Sequence, residues 1–166
     1  MSWLSGYEIE NAIYTHADDV TREAFHGVYS IDQLPFAVPH YPFFMIVNTQ
    51  AHNLPGAHWI SVFIDKNRRG EVFDSLAIPL PKPMSRWMNQ FTRSLTRNHL
   101  TYQHPLSDSC GAFAVYFVLH RLRSKVNFSS SLYENENKVR NFYQFTIKQL
   151  LLEMKYVFIY HLYKAL

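Results

Sequence analysis

A single cysteine, Cys110, is the only thiol in this chain of 166 residues, so no internal disulfide can form and a disulfide-stapled secreted domain is excluded. No His-Glu-x-x-His occurs, and Cys-rich zinc spacings need more than one thiol. Metal catalysis is therefore not expected despite nine histidines, and no residue is assigned as a metal ligand. The charge is only +3, and its cations are scattered through Lys66, Arg68, Arg69, Arg86, Arg93, Arg97, Arg121, Arg123 and Lys125 rather than gathered into a nucleic-acid stripe. Nonspecific, salt-sensitive DNA contact is the most this pattern supports. The apolar run Tyr156 to Tyr160 is bounded by Glu153, Lys155, His161 and Lys164 and falls short of the roughly 18 uncharged residues a membrane span requires. Met1 to Glu10 has neither a basic start nor an apolar stretch, so no secretory leader is expected and the setting is a reducing interior.

What is present is apolar and aromatic. With 48% hydrophobic and 16% aromatic residues, the chain can bury one sizeable core, and residues 1–166 read as a single domain without repeats or low-complexity tracts. Glu8 to Phe25 reads as an amphipathic helix, and Pro35, Pro39 and Pro42 mark a connector into a strand over Phe43 to Asn48. His58 to Ile64 and Glu71 to Asp74 are rich in β-branched and aromatic residues on either side of a polar turn, an antiparallel hairpin. A helix over Met84 to Leu95, a β-like piece over His99 to Tyr102, a core helix over Gly111 to Arg123 and a last helix over Glu136 to Lys164 complete the reading.

Four polar groups stand out against this background. Cys110 precedes the core helix, which Asp108 and Ser109 are placed to cap. In the first helical turn, unpaired N–H groups and the helix dipole favour a thiolate, the form in which sulfur attacks. Gly111 follows it and leaves room for an approaching substrate. Folding the hairpin about Lys66 sets His58 across from Asp74, so that a carboxylate can orient the imidazole. Gln103 lies in the loop before Cys110, where its amide can join the Cys110 N–H in binding an oxyanion. Taken singly, each residue has an ordinary alternative: an inert buried thiol, a satisfied core histidine, a turn-forming aspartate, a solvent-facing glutamine. Their joint placement is the parts list of a cysteine hydrolase.

Three blocks carry a family resemblance: Met45-Ile46-Val47-Asn48-Thr49 with Pro55-Gly56-Ala57-His58-Trp59, then Glu71-Val72-Phe73-Asp74-Ser75, then Gln103 with six residues between it and Cys110-Gly111. The chain resembles the adenovirus-type (adenain) cysteine proteases, and more closely the maturation proteases of Maverick/Polinton elements and virophage-type viruses, which belong with the SUMO-deconjugating proteases. The resemblance implies an α+β, papain-like fold, with a central mixed sheet flanked by helices and the nucleophile at the N-terminus of a buried helix. It implies His58 as general base, Asp74 as its orienter, Cys110 as nucleophile and Gln103 as oxyanion-hole donor, with Trp59 and Gly111 at the substrate. It further implies a monomer that cleaves capsid or other precursor proteins after small residues such as Gly, within a virion or host-cell interior. No cofactor is required, although DNA or a peptide activates some relatives; a disulfide-linked activating peptide would need a second cysteine, which is absent. Asp74 stands where adenovirus enzymes carry Glu, and Leu76-Ala77 replaces the aromatic-Gly pair common after the Asp-Ser. Two alternatives remain: a ubiquitin-like deconjugase using the same residues, and a catalytically silent capsid- or DNA-associated module.

Overall fold

A computed structural model describes residues 4–123 and 126–144. The N-terminal helical region is interrupted, unlike the continuous helix expected from Glu8 to Phe25. Helix α1 (Gly6–His16) begins at a capping box in which Ser5 and Glu8 satisfy each other's backbone N–H groups. Ala17 and Asp18 are extended, and Asp18 accepts from the Thr21 N–H to start a second helix, α2 (Asp19–Ala24). A short acidic side chain is worth more at such a cap than inside a helix. The chain then extends directly into β1 (Phe25–Ser30), a strand the sequence reading did not expect and of which only Phe25 fell within the expected helix.

Strands β2 (Phe43–Asn48), β3 (Trp59–Ile64), β4 (Arg69–Phe73) and β5 (Ser94–Arg97) complete a five-stranded sheet in the order β1-β2-β3-β4-β5. The β1/β2 and β4/β5 pairs are parallel, whereas β2/β3 and β3/β4 are antiparallel. Helix α3 (Lys82–Phe91) ends earlier than expected, and the residues that follow pair with the open edge of β4. Exposed Ser94, Leu95 and Thr96 carry no alternating pattern that would betray a strand. His99 to Tyr102, expected to be β-like, is irregular.

Both faces of the sheet are covered, which explains why β2 and β3 are buried along their whole length. Phe43, Met45, Val47, Ile60, Val62 and Ile64 pack on Met84, Trp87 and Met88 of α3. The alternate side chains Phe44, Ile46, Trp59 and Phe63 join a second core with Ile9 and Ile13 of α1 and the apolar residues of helix α4 (Cys110–Arg121). Ser61, the polar interruption in β3, is fully buried and donates to the Ala114 carbonyl of α4 at 3.1 Å. Residues 132–144 form a further helix, α5, which begins four residues before the expected last helix; the continuation expected to Lys164 lies outside the described residues. No helix among the described residues is long and apolar enough to cross a membrane. The architecture is the expected α+β fold, a mixed central sheet flanked by helices, with Cys110 as the first residue of a buried helix.

Candidate active site

The β3–β4 hairpin delivers His58 and Asp74. Its pairs Ser61↔Phe73 and Val62↔Val72 centre the turn on Asn67 rather than Lys66, with Arg68 in the left-handed region at φ 62°. Continuing that register sets Asp74 opposite Ile60, so His58 reaches it diagonally rather than directly across. The contact is close all the same: His58 Nε2–H donates to Asp74 Oδ1 at 2.6 Å, with both residues buried. Asp74 does two jobs. Its Oδ1 also accepts the Leu76 N–H and its Oδ2 the Ile78 N–H, so the carboxylate that grips the imidazole also shapes the turn leaving β4.

That turn settles the Leu76-Ala77 departure noted in the sequence. Ala77 sits at φ 52°, a conformation glycine takes without steric cost, with its N–H bonded to the Asp74 carbonyl at 3.0 Å. On the other strand, the Thr49 N–H donates to the His58 carbonyl at 2.9 Å. Asn48 Oδ1 accepts from Gln50 and Ala57, gathering the loop that leads into His58. A side chain at Gly56 would meet Asn48 Nδ2 at 2.7 Å, and its φ of 90° also calls for glycine.

Cys110 opens α4, but without the cap expected from Ser109. Ser109 is the residue preceding the helix and makes no side-chain cap, because its backbone (φ −88°, ψ 9°) is not in the extended conformation of an N-cap and its hydroxyl donates instead to Glu136 Oε2 at 2.7 Å. Gln103 is 1% exposed, correcting the solvent-facing alternative. Its Oε1 accepts from Ser75 Oγ at 2.6 Å and its Nε2 donates to the Ser107 carbonyl at 2.7 Å, leaving one amide hydrogen unassigned.

With Nε2 held by Asp74, the other ring nitrogen of His58 is the one left to face Cys110, whose side chain is among the groups that act on the imidazole. Burial opposes protonation of His58 and is the largest single influence on it. The hydrogen bonds to Asp74 and Cys110, joined by the attraction of their charges, outweigh that burial and raise the imidazole from 6.5 to about 9. An imidazole so placed can carry a proton between sulfur and substrate while the carboxylate stabilises its charged form.

Trp59 and Gly111, expected at the substrate, are both buried and lie against the N-terminal segment. The Trp59 ring is packed in the core beneath α4, and its Nε1–H donates to the Leu4 carbonyl at 3.0 Å. The space beside Gly111 is filled: an added Cβ would lie 3.0 Å from Leu4 Cβ and 3.3 Å from Ile9 Cδ1. A side chain at this position would press on the N-terminal segment. Three residues that the sequence did not single out support the site. Asn98 Oδ1 accepts from the Asp74 N–H and its Nδ2 donates to the Asp74 carbonyl, bracketing that residue's backbone. Ser75 orients Gln103, and its position next to Asp74 was the available signal. Glu136 had no signal beyond its place at the start of a helix.

Comparison with known proteins follows this geometry. Residues 42–156 match the family described as the Ulp1 protease family, C-terminal catalytic domain. A cysteine protease of African swine fever virus (Tick/Malawi isolate) is 30% identical over 108 residues, which cover 55% of this chain and 39% of that protein. A protein of the Tick/South Africa isolate, named as a SUMO-1 cysteine protease, is 29% identical over 91 residues, covering 46% and 33% respectively. The matches thus span well under half the length of these curated relatives. In structure, the chain resembles the crystal structure of the same virus's pS273R protease with a TM-score of 0.58 at 15% identity, covering 85% of this chain and 66% of the other. A selenomethionine form of that protease gives 0.51 at 16% identity, over 78% and 60%. At these identities the structural likeness speaks for the fold. With more than half its length matched by the family, and the same α+β fold, the chain belongs to the Ulp1 family of cysteine proteases and corresponds to its C-terminal catalytic domain.

Proposed function

We propose that this chain is a cysteine endopeptidase in which Cys110 is the nucleophile, His58 the general acid and base, Asp74 the orienting carboxylate, and Gln103 with the Cys110 N–H the oxyanion donors. The observation that carries the reading is an imidazole bonded on Nε2 to a buried carboxylate at 2.6 Å, with the chain's one thiol among the groups that raise its proton affinity. The Cys110 thiolate attacks the scissile carbonyl carbon, forming a C–S bond and an oxyanion. His58 then gives its proton to the leaving amine as the C–N bond breaks. Water, deprotonated by the now neutral imidazole, attacks the thioester and releases the acid with regeneration of the thiolate and imidazolium. A positioned oxyanion donor contributes about 2.7–4 kcal/mol to such a step in comparable sites.

For the substrate, the reading keeps to virus- or transposon-encoded precursor proteins, cut after small residues such as Gly. The kinship with adenain-like and Polinton-type maturation enzymes is part of that proposal, as is action inside a virion or host cell on capsid precursors. Hydrolysis of the C-terminal tail of a ubiquitin-like protein is the second reading, supported by the viral relative named as a SUMO-1 cysteine protease. A fluorogenic Gly-Gly peptide, a capsid precursor and a SUMO-type conjugate, each incubated with the wild-type chain and with Cys110→Ala, decide between them. Cleavage of precursor, lost in Cys110→Ala, is the expected result; preferential cleavage of the conjugate selects the deconjugase. Turnover of nothing, together with Cys110 alkylation that is slow and unchanged in His58→Ala, would establish the silent module.

A further inference from the structure

Resting on that catalytic reading, we propose that Glu136 is a positioning residue for the oxyanion site, tying together the two ends of the loop between Gln103 and Cys110. The two oxyanion donors stand at opposite ends of this loop. Glu136, on α5, meets both ends: Oε1 accepts the N–H of His104, the residue after Gln103, at 3.0 Å, and Oε2 accepts the hydroxyl of Ser109, the residue before Cys110, at 2.7 Å. One carboxylate, 8% exposed, therefore fixes the separation between the donors.

On the α5 side the loop faces the surface. Its outer surface borders a cleft of about 410 Å³ lined by His104, Leu106, Ser107, Ser109, Tyr133 and Glu136, and Leu106 is 92% exposed. Within the loop, Ser107 bonds the Ser109 hydroxyl and accepts the Ser109 N–H at 3.2 Å, and the Ser107 N–H donates to the His104 carbonyl at 2.9 Å. These contacts stiffen the loop, while Glu136 anchors it to a helix outside the sheet.

Diverting Ser109 has a second effect. A serine at this position ordinarily accepts from a first-turn N–H of its own helix and satisfies part of the N-terminal field. Here that hydroxyl points to Glu136 and caps nothing, so no side chain of Ser109 competes with an oxyanion for the N–H groups at the start of α4. A displacement of the loop by about 1 Å would misplace both donors, a change to which bound transition states are sensitive by about a hundredfold.

The test compares wild type, Glu136→Ala and Glu136→Gln by peptide turnover, by the rate of Cys110 alkylation, and by hydrogen exchange at the His104 amide, the last two of which need no turnover. Glu136→Ala is expected to lower kcat about 30-fold with KM within twofold, to leave the alkylation rate within threefold, since alkylation forms no oxyanion, and to lose protection at His104. Glu136→Gln, whose carbonyl can still accept from His104 and whose amide can donate to Ser109, is expected to recover kcat to within about fivefold of wild type. Should Glu136→Ala fail to fold, Ser109→Ala removes one of the two ties and is expected to lower kcat with KM unchanged. Unchanged kcat in a folded variant, a loss confined to KM, or failure of Gln to restore kcat would overturn the proposal. A wild-type chain that does not turn over substrate, with His104 still losing protection in Glu136→Ala, would count against the catalytic reading and leave the tie in place.

Discussion

His58 and Asp74 are carried by two paired strands, whereas Gln103 and Cys110 stand at the ends of an irregular loop held by side-chain hydrogen bonds. In the hairpin, register and backbone bonding place the pair, with the Asp74 turn, the Asn98 bracket and the Asn48 contacts added by side chains. In the loop, Ser75, Ser107 and Glu136 supply the placement. Sheet geometry is dictated by many cooperative bonds and tolerates single changes; a loop of this kind depends on individual side chains, so its loss should appear in chemistry before it appears in stability.

The largest effects belong to the reacting groups. Cys110→Ala should abolish turnover, and His58→Ala should lower kcat/KM about 10³- to 10⁴-fold, with Asp74→Asn costing less because the imidazole remains. Steady-state kinetics on one peptide check this order, and an Asp74→Asn loss equal to that of His58→Ala would mean the hairpin pair acts as an indivisible unit. On the loop side, Gln103→Ala should lower kcat about 10²-fold and leave KM nearly unchanged; a change in KM alone would remove the oxyanion assignment. Its melting temperature should stay closer to wild type than that of Asp74→Asn, since Asp74 also shapes the turn leaving β4.

The hairpin side also predicts a pH dependence of stability. The folded imidazole lies near 9 against an ordinary 6.5, so its contribution to stability is fully present below about 6.5 and is lost as pH rises through about 9. The gap in melting temperature between wild type and His58→Ala should therefore narrow from pH 6 to pH 10, as scanning calorimetry would show. The smallest effect is at Ala77. Relieving its positive φ with Ala77→Gly should stabilise the fold by about 1 kcal/mol in chemical denaturation and leave kcat unchanged.

The contrast between hairpin and loop also describes how legible the molecule was in its sequence. β2, the hairpin and α4 could be read because burial on one or both faces writes a pattern of apolar residues. β5 could not, because an exposed edge strand is defined by the neighbour it pairs with; nor could β1, which continues an amphipathic stretch broken only at Ala17 and Asp18. The one-residue error in the hairpin centre follows from taking His58 and Asp74 as directly opposed, whereas the register sets Asp74 opposite Ile60 and the two meet diagonally. His58, Asp74, Gln103 and Cys110 were singled out as candidate chemistry at a distance, and the structure bonds the first two to each other. Asn98, Ser75 and Glu136 were not, since a side chain that holds another residue's backbone or amide leaves no spacing to recognise. At Gly111 the sequence did not show the close packing of Leu4 and Ile9.

The most direct test of the central claim is an NMR titration of the His58 imidazole. A midpoint near 9 that falls in both Asp74→Asn and Cys110→Ala would show the ring held between carboxylate and sulfur. A midpoint at the ordinary 6.5, unmoved by either substitution, would contradict it.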